Sequence, residues 1–403
     1  MKVKNLAMIW AALAFSLALA LPAGAAPSSL GVTVEVLDGY SCDYGVDIPF
    51  TRSARTRDYT FALYAGSTAA GTPTVKAEVA ITPTAQVNVH LPLRHDAAAP
   101  STWTLRVTAH VAPGREAFDR EASADKTFVT PPSCGCAAGT AGAYYVGTGT
   151  AASPFQVATP EQLQHVNAHL DKSFLQTKNL DLASRAWTPL GGNSLANFTG
   201  SYDGGGHIVS NLKVNAEMAG LFGHIRDGTV QRLGVSRGSA TASGIQGRSG
   251  GLAAYALGSS TVSECFAATI TASSPHVGGG LIGTAGEGAQ ITNCYSAGCS
   301  VSANYCGGLI GATATAYVTY CHTYSDGLVS SYFSGNLFGS FSGGGCANCV
   351  SMAPAFGNGA IASTILGTAD AFKKEASFPG WDFSAVWRLD NGAIYPNLRA
   401  FNH

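Results

Sequence analysis

Apolar positions recur at a nearly constant spacing through the second half of this chain. The first recurring mark is a leucine inside a glycine-rich step, at positions Leu221, Leu252, Leu281, Leu309 and Leu337. Successive leucines stand 31, 29, 28 and 28 residues apart. This period is too long for a heptad, and glycine, valine, threonine and serine fill each copy. The pattern predicts a solenoid in which each repeat is one coil of short strands.

A second mark ends 12 or 13 residues after each leucine, at Leu233, Cys265, Cys294, Cys321 and Cys349. Stacked coils place equivalent residues ~4.8 Å apart, so leucine stacks on leucine and cysteine on cysteine inside the coil. We therefore predict a buried leucine ladder and a buried cysteine ladder. The thiols are expected to stay reduced, because parallel Cβ vectors strain a disulfide. Seven or eight coils are expected.

Before the repeats, six or seven short alternating runs occupy residues 31–133. Strands at this spacing are typical of a small β-sandwich. We predict an all-β chain with an immunoglobulin-like β-sandwich over residues 26–133 and a linker over 134–143. A right-handed parallel β-helix is expected over residues 144–403.

A short capping helix is predicted at the start of the solenoid. Thr159 can act as the N-cap, Pro160 suits the first helical position, and Gln162 can close a capping box. Leu163 and Val166 then recur at helical spacing. The helix should cover one end of the coils.

The amino terminus has the pattern of a secretory signal. Lys2 and Lys4 precede an apolar run over residues 6–21, and small residues follow up to Ala25. We predict a signal peptide over residues 1–25, cleaved after Ala25. The expected product is secreted or held at the cell surface, with no transmembrane segment.

The charge of the chain limits its binding partners, and the cysteine content raises the question of disulfides. Only 12% of residues are charged and the net charge is −1, so the chain has no electrostatic reason to bind nucleic acid. Ten cysteines in an exported chain would suggest disulfides. The ladder accounts for four of them. Pairing stays open for Cys42, Cys134, Cys136, Cys299 and Cys306.

The repeats resemble the GLUG motif of secreted and cell-surface bacterial proteins. The resemblance rests on steps such as Gly279-Gly280-Leu281-Ile282-Gly283 and on the closing Tyr395-Pro396-Asn397-Leu398, and it spans residues 144–401. It implies a parallel β-helix. It also implies an adhesin-like protein or an accessory region of an IgA-cleaving metallopeptidase, and the sandwich lies outside it.

Two residue spacings in the sequence are typical of metal ligands. Cys346-x-x-Cys349 has no second pair, and Cys349 continues the cysteine ladder while Cys346 takes an inward position. His165-x-x-x-His169 is half of a metal site, but Val166 stands where a zinc protease has glutamate. We interpret the histidines as a solvated helix face and expect no metal and no cofactor.

Catalysis is not expected in the regular repeats. From Ser249 to Phe372 the chain has no Lys or Arg, and the three acids before Asp370 fall at different phases of the repeat. Glycoside hydrolysis needs two carboxylates that face one bond. The first coils keep several ionisable residues: Arg185, Asp203, His207, Arg226 and Asp227. A polysaccharide lyase or glycoside hydrolase with a site there is the alternative.

The residue after each ladder cysteine should point the opposite way, because strand side chains alternate. Phe266, Tyr295 and His322 would then form an outward column of rings, flanked by Tyr320 and Tyr324. Exposed rings are a natural platform for sugars. The favoured hypothesis is a non-catalytic adhesin-like module that contacts cell-surface glycans or protein partners. A structural spacer is a further alternative, and packing of another segment over the column would remove the binding face.

Overall fold

The structure, a computed structural model, describes most of the chain, and its two compact units are residues 1–140 and 141–403. The described residues are 33–38, 43–51, 56–80, 86–94, 102–111, 122–130, 132–137, 139–324, 327–352, 364–365 and 368–401. The predicted signal peptide and Cys42 lie outside these ranges. Within them, no helix is long and apolar enough to cross a membrane.

The N-terminal unit contains two antiparallel sheets. Its strands are β1 (Thr33–Asp38), β2 (Asp43–Thr51), β3 (Thr56–Ala65), β4 (Val75–Ala80), β5 (Gln86–Arg94), β6 (Thr102–Val111) and β7 (Ala122–Val129). One sheet has the order β1-β2-β5 and the other β4-β3-β6-β7. Alternate residues of β6, including Trp103, Leu105 and Val107, are buried. β6 therefore has an apolar inner face, as the alternating runs predict.

The second unit begins with one short helix and four short strands. They are β8 (Phe155–Val157), α1 (Pro160–His165), β9 (Ser173–Gln176), β10 (Leu180–Asp181) and β11 (Ala186–Trp187). The predicted helix start is confirmed, since the Thr159 side chain accepts a hydrogen bond from the Gln162 backbone N–H. The helix ends at His165 and continues as a 3-10 turn over Val166–Ala168.

The coils form a β-solenoid of about six turns, fewer than the seven or eight expected. Their strands are β12 (Ser201–Ala216), β13 (Met218–Ala219), β14 (Phe222–Arg226), β15 (Thr229–Ala242), β16 (Arg248–Gly250), β17 (Ala253–Leu257), β18 (Thr261–Ser263), β19 (Phe266–Ser273), β20 (Val277–Gly279), β21 (Ile282–Gly286), β22 (Gln290–Thr292), β23 (Tyr295–Ala297), β24 (Ser300–Gly307), β25 (Ile310–Ala314), β26 (Ala316–Thr319), β27 (His322–Tyr324), β28 (Gly327–Gly335), β29 (Phe338–Phe341), β30 (Gly344–Ala347) and β31 (Val350–Ser351). Equivalent strands of successive coils pair in parallel, as in β14-β17-β21-β25-β29. After them come β32 (Thr364–Ile365), a 3-10 turn (Glu375–Ser377), β33 (Trp387–Arg388) and β34 (Asn397–Leu398).

Each coil bends at residues in the left-handed conformation. One such corner stands immediately before the second sequence mark, with φ between 48° and 53° at Arg232, Glu264, Asn293, Tyr320 and Asn348. Because this corner interrupts the strand alternation, residues three apart can both face inward. Val262 and Cys265 are accordingly both fully buried. None of these five corner residues is glycine, which explains why a glycine search alone does not reveal the corner.

Both ladders lie in the solenoid core. The five leucines and the four ladder cysteines each have 0% relative exposure. Each ladder thiol lies against a backbone carbonyl of the preceding coil, as Cys294 Sγ does against the Val262 oxygen at 3.6 Å. Cys346 pairs in register with Val318 and so occupies the inward position. Cys299 and Cys306 are also buried, as thiols outside any disulfide.

Candidate functional site

The predicted ring column exists, but the expectation that it is exposed is wrong. Phe266, Tyr295 and His322 pair in register, and their rings stack with centroids 5.0 and 4.9 Å apart. Their relative exposures are 3%, 3% and 0%. Tyr320 and Tyr324 are partly buried against the same cluster. These side chains belong to a hydrophobic core.

The ring column is buried because a C-terminal segment, residues 368–401, packs over it. Phe372, Trp381, Trp387 and Phe401 are its main apolar contacts. Trp381 Nε1 donates to the Asn348 carbonyl at 2.8 Å, and that bond ties the segment to a corner of the solenoid. Sequence alternation predicts which way a ring points, but it does not predict what packs on that ring.

The ionisable residues of the first coils are held in pairs. Asp203 accepts hydrogen bonds from Arg232 and Gln231, and the Arg232 guanidinium helps to lower the pKa of Asp203 against the effect of burial. Arg226 forms a bidentate pair with Glu287 at 2.7 and 3.0 Å. These acids contribute to bracing between coils.

Asp227 and Arg185 also have polar partners, and His207 is partly buried. Asp227 accepts from the Ser259 backbone and hydroxyl at 2.8 and 2.9 Å. Arg185 pairs with Glu161 at 2.9 Å. Burial lowers the pKa of His207. Among the described first-coil residues, Asp203 and Asp227 are held by arginine, glutamine or serine partners, and neither is joined to a second carboxylate as glycoside hydrolysis requires.

The helical histidine pair packs among rings instead of forming a solvated face. His165 and His169 lie with ring centroids 5.2 Å apart. The His165 ring lies 5.4 Å from that of Tyr144, and the His169 ring 5.7 Å from that of Phe155. Burial lowers the pKa of both imidazoles. The expectation of a solvated pair is therefore wrong.

A different feature, a groove along the solenoid, is the candidate site. It arises at the Gly-Leu-x-Gly step, where the chain turns from one sheet to the next. A Cβ on Gly311 would lie 2.6 Å from both the Gly278 oxygen and Val277 Cγ1. Glycine thus lets the turning strand approach the neighbouring coil closely. A concave surface lies beside this turn, between the strand before it and the strand after it.

This aromatic groove has a volume of about 270 Å³. It is lined by Arg248, His276, Val277, Thr284, Tyr305, Ala312, Phe333 and Ser340. One wall is a register column through four coils, made by Arg248, Val277, Tyr305 and Phe333. The other wall is the column made by Thr284, Ala312 and Ser340.

Aromatic rings dominate one end of the groove. The Tyr305 ring lies 5.9 Å from Phe333 and 6.0 Å from Tyr332, and its planes with them differ by 31° and 28°. The His276 ring meets Tyr305 edge-on at 5.7 Å. Tyr332 and Phe333 keep relative exposures of 67% and 37%. This end therefore presents rings to solvent, which the buried column does not.

Polar groups dominate the other end. The Arg248 guanidinium lies 5.1 Å from the Tyr255 ring centroid and donates to the Gln246 carbonyl. Burial, reinforced by the Arg248 charge, lowers the pKa of His276. Arg248 is therefore the one charged side chain at neutral pH among the described residues that line the groove. Three polar atoms of the walls have no partner among the described residues: Arg248 Nε, His276 Nδ1 and Thr284 Oγ1.

The sequence does contain a signal for this groove. Arg248, Val277, Tyr305 and Phe333 each stand four residues before a ladder leucine. The opposite wall stands three residues after the leucine, as Thr284 does. The positions four residues before and three residues after each ladder leucine therefore identify the side chains of the two walls.

Known proteins offer limited likenesses. No family model matches the chain. Halomucin of Haloquadratum walsbyi is 35% identical over 138 residues, which are 30% of this chain and 2% of halomucin. The chain therefore spans a very small part of that relative. A crystal structure of a "putative immunoglobulin A1 protease" from Bacteroides ovatus shares 16% identity with a TM-score of 0.47, covering 64% of this chain and 96% of that one.

Proposed function

We propose that this protein is a secreted or surface repeat module that binds carbohydrate through the aromatic groove. The solenoid and the local likeness to halomucin support a surface or secreted repeat module. The signal-like amino terminus supports export. Membership of the GLUG-motif family, an immunoglobulin-like type for the N-terminal sheets and an adhesin role are parts of this proposal.

One observation carries the assignment to carbohydrate. The groove combines half-exposed rings around Tyr305 with polar side chains within one concave surface. Sugars have apolar faces that stack on rings and hydroxyls that need fixed polar partners, so a site of this composition suits them. Unpaired buried atoms such as Thr284 Oγ1 cost free energy while they stay unbonded.

The set of ionisable groups in this groove favours binding over catalysis. No Asp or Glu is among the described residues that line it. The first-coil carboxylates, Asp203 and Asp227, are engaged by arginine and serine partners. A carbohydrate-active enzyme is thus the less supported alternative, since hydrolysis needs a carboxylate pair at the bond.

The test is a glycan array probed with the mature protein and with two tyrosine variants. Tyr305→Ala removes the central ring of the groove and should weaken binding at least about tenfold, roughly 1.4 kcal/mol. Tyr317→Ala removes a 50% exposed ring outside the groove and should leave binding unchanged. Melting curves verify that both variants fold. Unchanged binding by a folded Tyr305→Ala protein would refute the groove as the site.

A further inference from the structure

We infer that the groove selects an acidic oligosaccharide that lies along the solenoid axis, with a carboxylate on Arg248 and sugar rings on the Tyr305 end. This inference rests on the proposed carbohydrate binding and adds the class of sugar. It follows from three features of the groove: a single cation in its lining, the spacing of successive coils along it, and the separation of charge from rings.

Arg248 is the one cation of the described groove lining, and Glu217, an acid near the Tyr255 ring, lies outside that lining. From Ser249 to Phe372 the sequence has no Lys or Arg, and the described groove lining has no acid. Arg248 therefore meets no carboxylate of the groove that would neutralise it. The residue is partly buried, which strengthens its attraction for an anion relative to a fully exposed arginine. Arginine binds carboxylates through two parallel N–H groups, and this geometry selects an acidic sugar over a neutral one.

The guanidinium is also held in place. It rests over the Tyr255 ring and donates to the Gln246 carbonyl, while its Nε has no partner among the described residues. The Tyr255 ring in turn packs against His224, with centroids 4.4 Å apart and planes tilted by 37°. A preorganised cation loses less side-chain entropy on binding than a free surface arginine.

The coil spacing fits an extended saccharide. Arg248, Val277, Tyr305 and Phe333 occupy four successive coils, so Arg248 and Tyr305 are two coils, roughly 10 Å, apart. One pyranose of an extended chain advances by a distance close to one coil. Three or four sugars laid along the axis would place an acidic unit at Arg248 and later rings at Tyr305 and Phe333. A single cation does not suit nucleic acid, which carries a phosphate on every unit.

The experiment compares galacturonate tetrasaccharide and hyaluronan tetrasaccharide with the same molecules after their carboxylates have been reduced to alcohols. Binding is measured by calorimetry on the mature protein. We expect at least one acidic form to bind about tenfold tighter than its reduced counterpart. Added salt should weaken that acidic form more than the reduced one.

Two arginine variants locate the preference. Arg248→Gln should abolish the acidic preference and keep the weaker binding of the reduced form, and Arg248→Lys should restore part of it. Arg237→Gln, at an exposed corner outside the groove, should behave as the unaltered protein. An acidic preference that survives in a folded Arg248→Gln protein would overturn the inference.

The two proposals fail differently. Equal binding of acidic and reduced forms, with loss of both in Tyr305→Ala, would refute the acidic selectivity and leave the groove as a sugar site. Absence of binding to all four saccharides and to the glycan array would refute the proposed function and this inference with it. Equal binding of an unrelated tetrapeptide through its free carboxylate would show that the groove recognises carboxylates and not acidic sugars.

Discussion

The rings of Tyr295 and His322 lie parallel, with an interplanar angle of 5° and centroids 4.9 Å apart. On its edge, His322 Nε2 lies 2.9 Å from the carbonyl oxygen of Pro396. Because a carbonyl only accepts, Nε2 must carry the proton, and Nδ1 is left without a partner among the described residues. One histidine thus joins the solenoid to the segment that covers it, and it does so in the neutral form.

This arrangement predicts a loss of stability in acid. Burial lowers the pKa of His322 to about 3, against about 6.5 in the unfolded chain. The unfolded state therefore binds more protons between these two values, and stability must fall as the pH drops from about 6.5 towards 3. The slope from this histidine should approach about 1.4 kcal/mol per pH unit.

His322→Phe removes the titrating group and keeps a ring in the stack. Chemical denaturation at pH 7, 6, 5 and 4 should show a shallower pH dependence for the variant than for the unaltered protein. His224, whose pKa burial lowers to about 4, remains as a second contributor in both. Identical slopes for the two proteins would contradict the assigned role.

The thiols of the cysteine ladder should not react with thiol reagents in the native protein. Burial raises the pKa of Cys294, Cys321 and Cys349 well above the usual value, so little thiolate forms and reagents have no access. A thiol reagent should label these residues only after denaturation, as peptide mass mapping would show. Labelling in the native protein at the rate seen in denaturant would disprove a buried ladder.

The ladder should also tolerate an apolar replacement better than a polar one. Cys294→Ser buries a hydroxyl that loses its hydration and meets backbone carbonyls such as that of Thr292, and it should destabilise by about 1–3 kcal/mol. Cys294→Ala serves as the comparison, because it removes the same sulfur without adding a polar group. The ladder would be less apolar than the structure indicates if serine were as stable as alanine in urea titrations.

The solenoid corners store backbone strain that a glycine would relieve. Thr269, within β19, occupies another left-handed corner: it is exposed and has φ of 57°, a conformation that β-branched residues rarely adopt. Thr269→Gly should therefore stabilise the protein by about 1 kcal/mol. Thr271→Gly, at an exposed strand position two residues on, should instead destabilise it. Equal effects at the two positions in thermal melts would refute the corner assignment.

The close approach at the Gly-Leu-x-Gly step should not tolerate a methyl group. Gly311→Ala forces a Cβ to within 2.6 Å of backbone and side chain, and should cost about 1–3 kcal/mol. At Gly345 the nearest atom, 3.1 Å away, belongs to the half-exposed Tyr317 ring, which can move. Gly345→Ala should thus cost clearly less. Comparable losses for both would mean that the step does not need the close approach.

Periodicity alone was sufficient for the solenoid, because the apolar marks report directly on which residues each coil must bury. The spacing of Leu252, Leu281 and Leu309 predicted which residues stack, and the start of the helix at Pro160 followed from its capping residues. These are local or repeated interactions, so a single chain displays them in its residue pattern. The corner at Thr269 escaped prediction, since its left-handed conformation is imposed by the coils above and below.

The exposure of the rings was decided by tertiary structure. Alternation correctly separates Tyr295 from Cys294, but only the folded chain shows that Trp387, almost a hundred residues later, packs on the same face. The candidate binding surface is instead formed by the rings around Tyr305 and Phe333, because these rings remain exposed to solvent. The repeat determines the direction of a side chain. Whether that side chain meets water or protein depends on contacts distant in sequence, which no local pattern encodes.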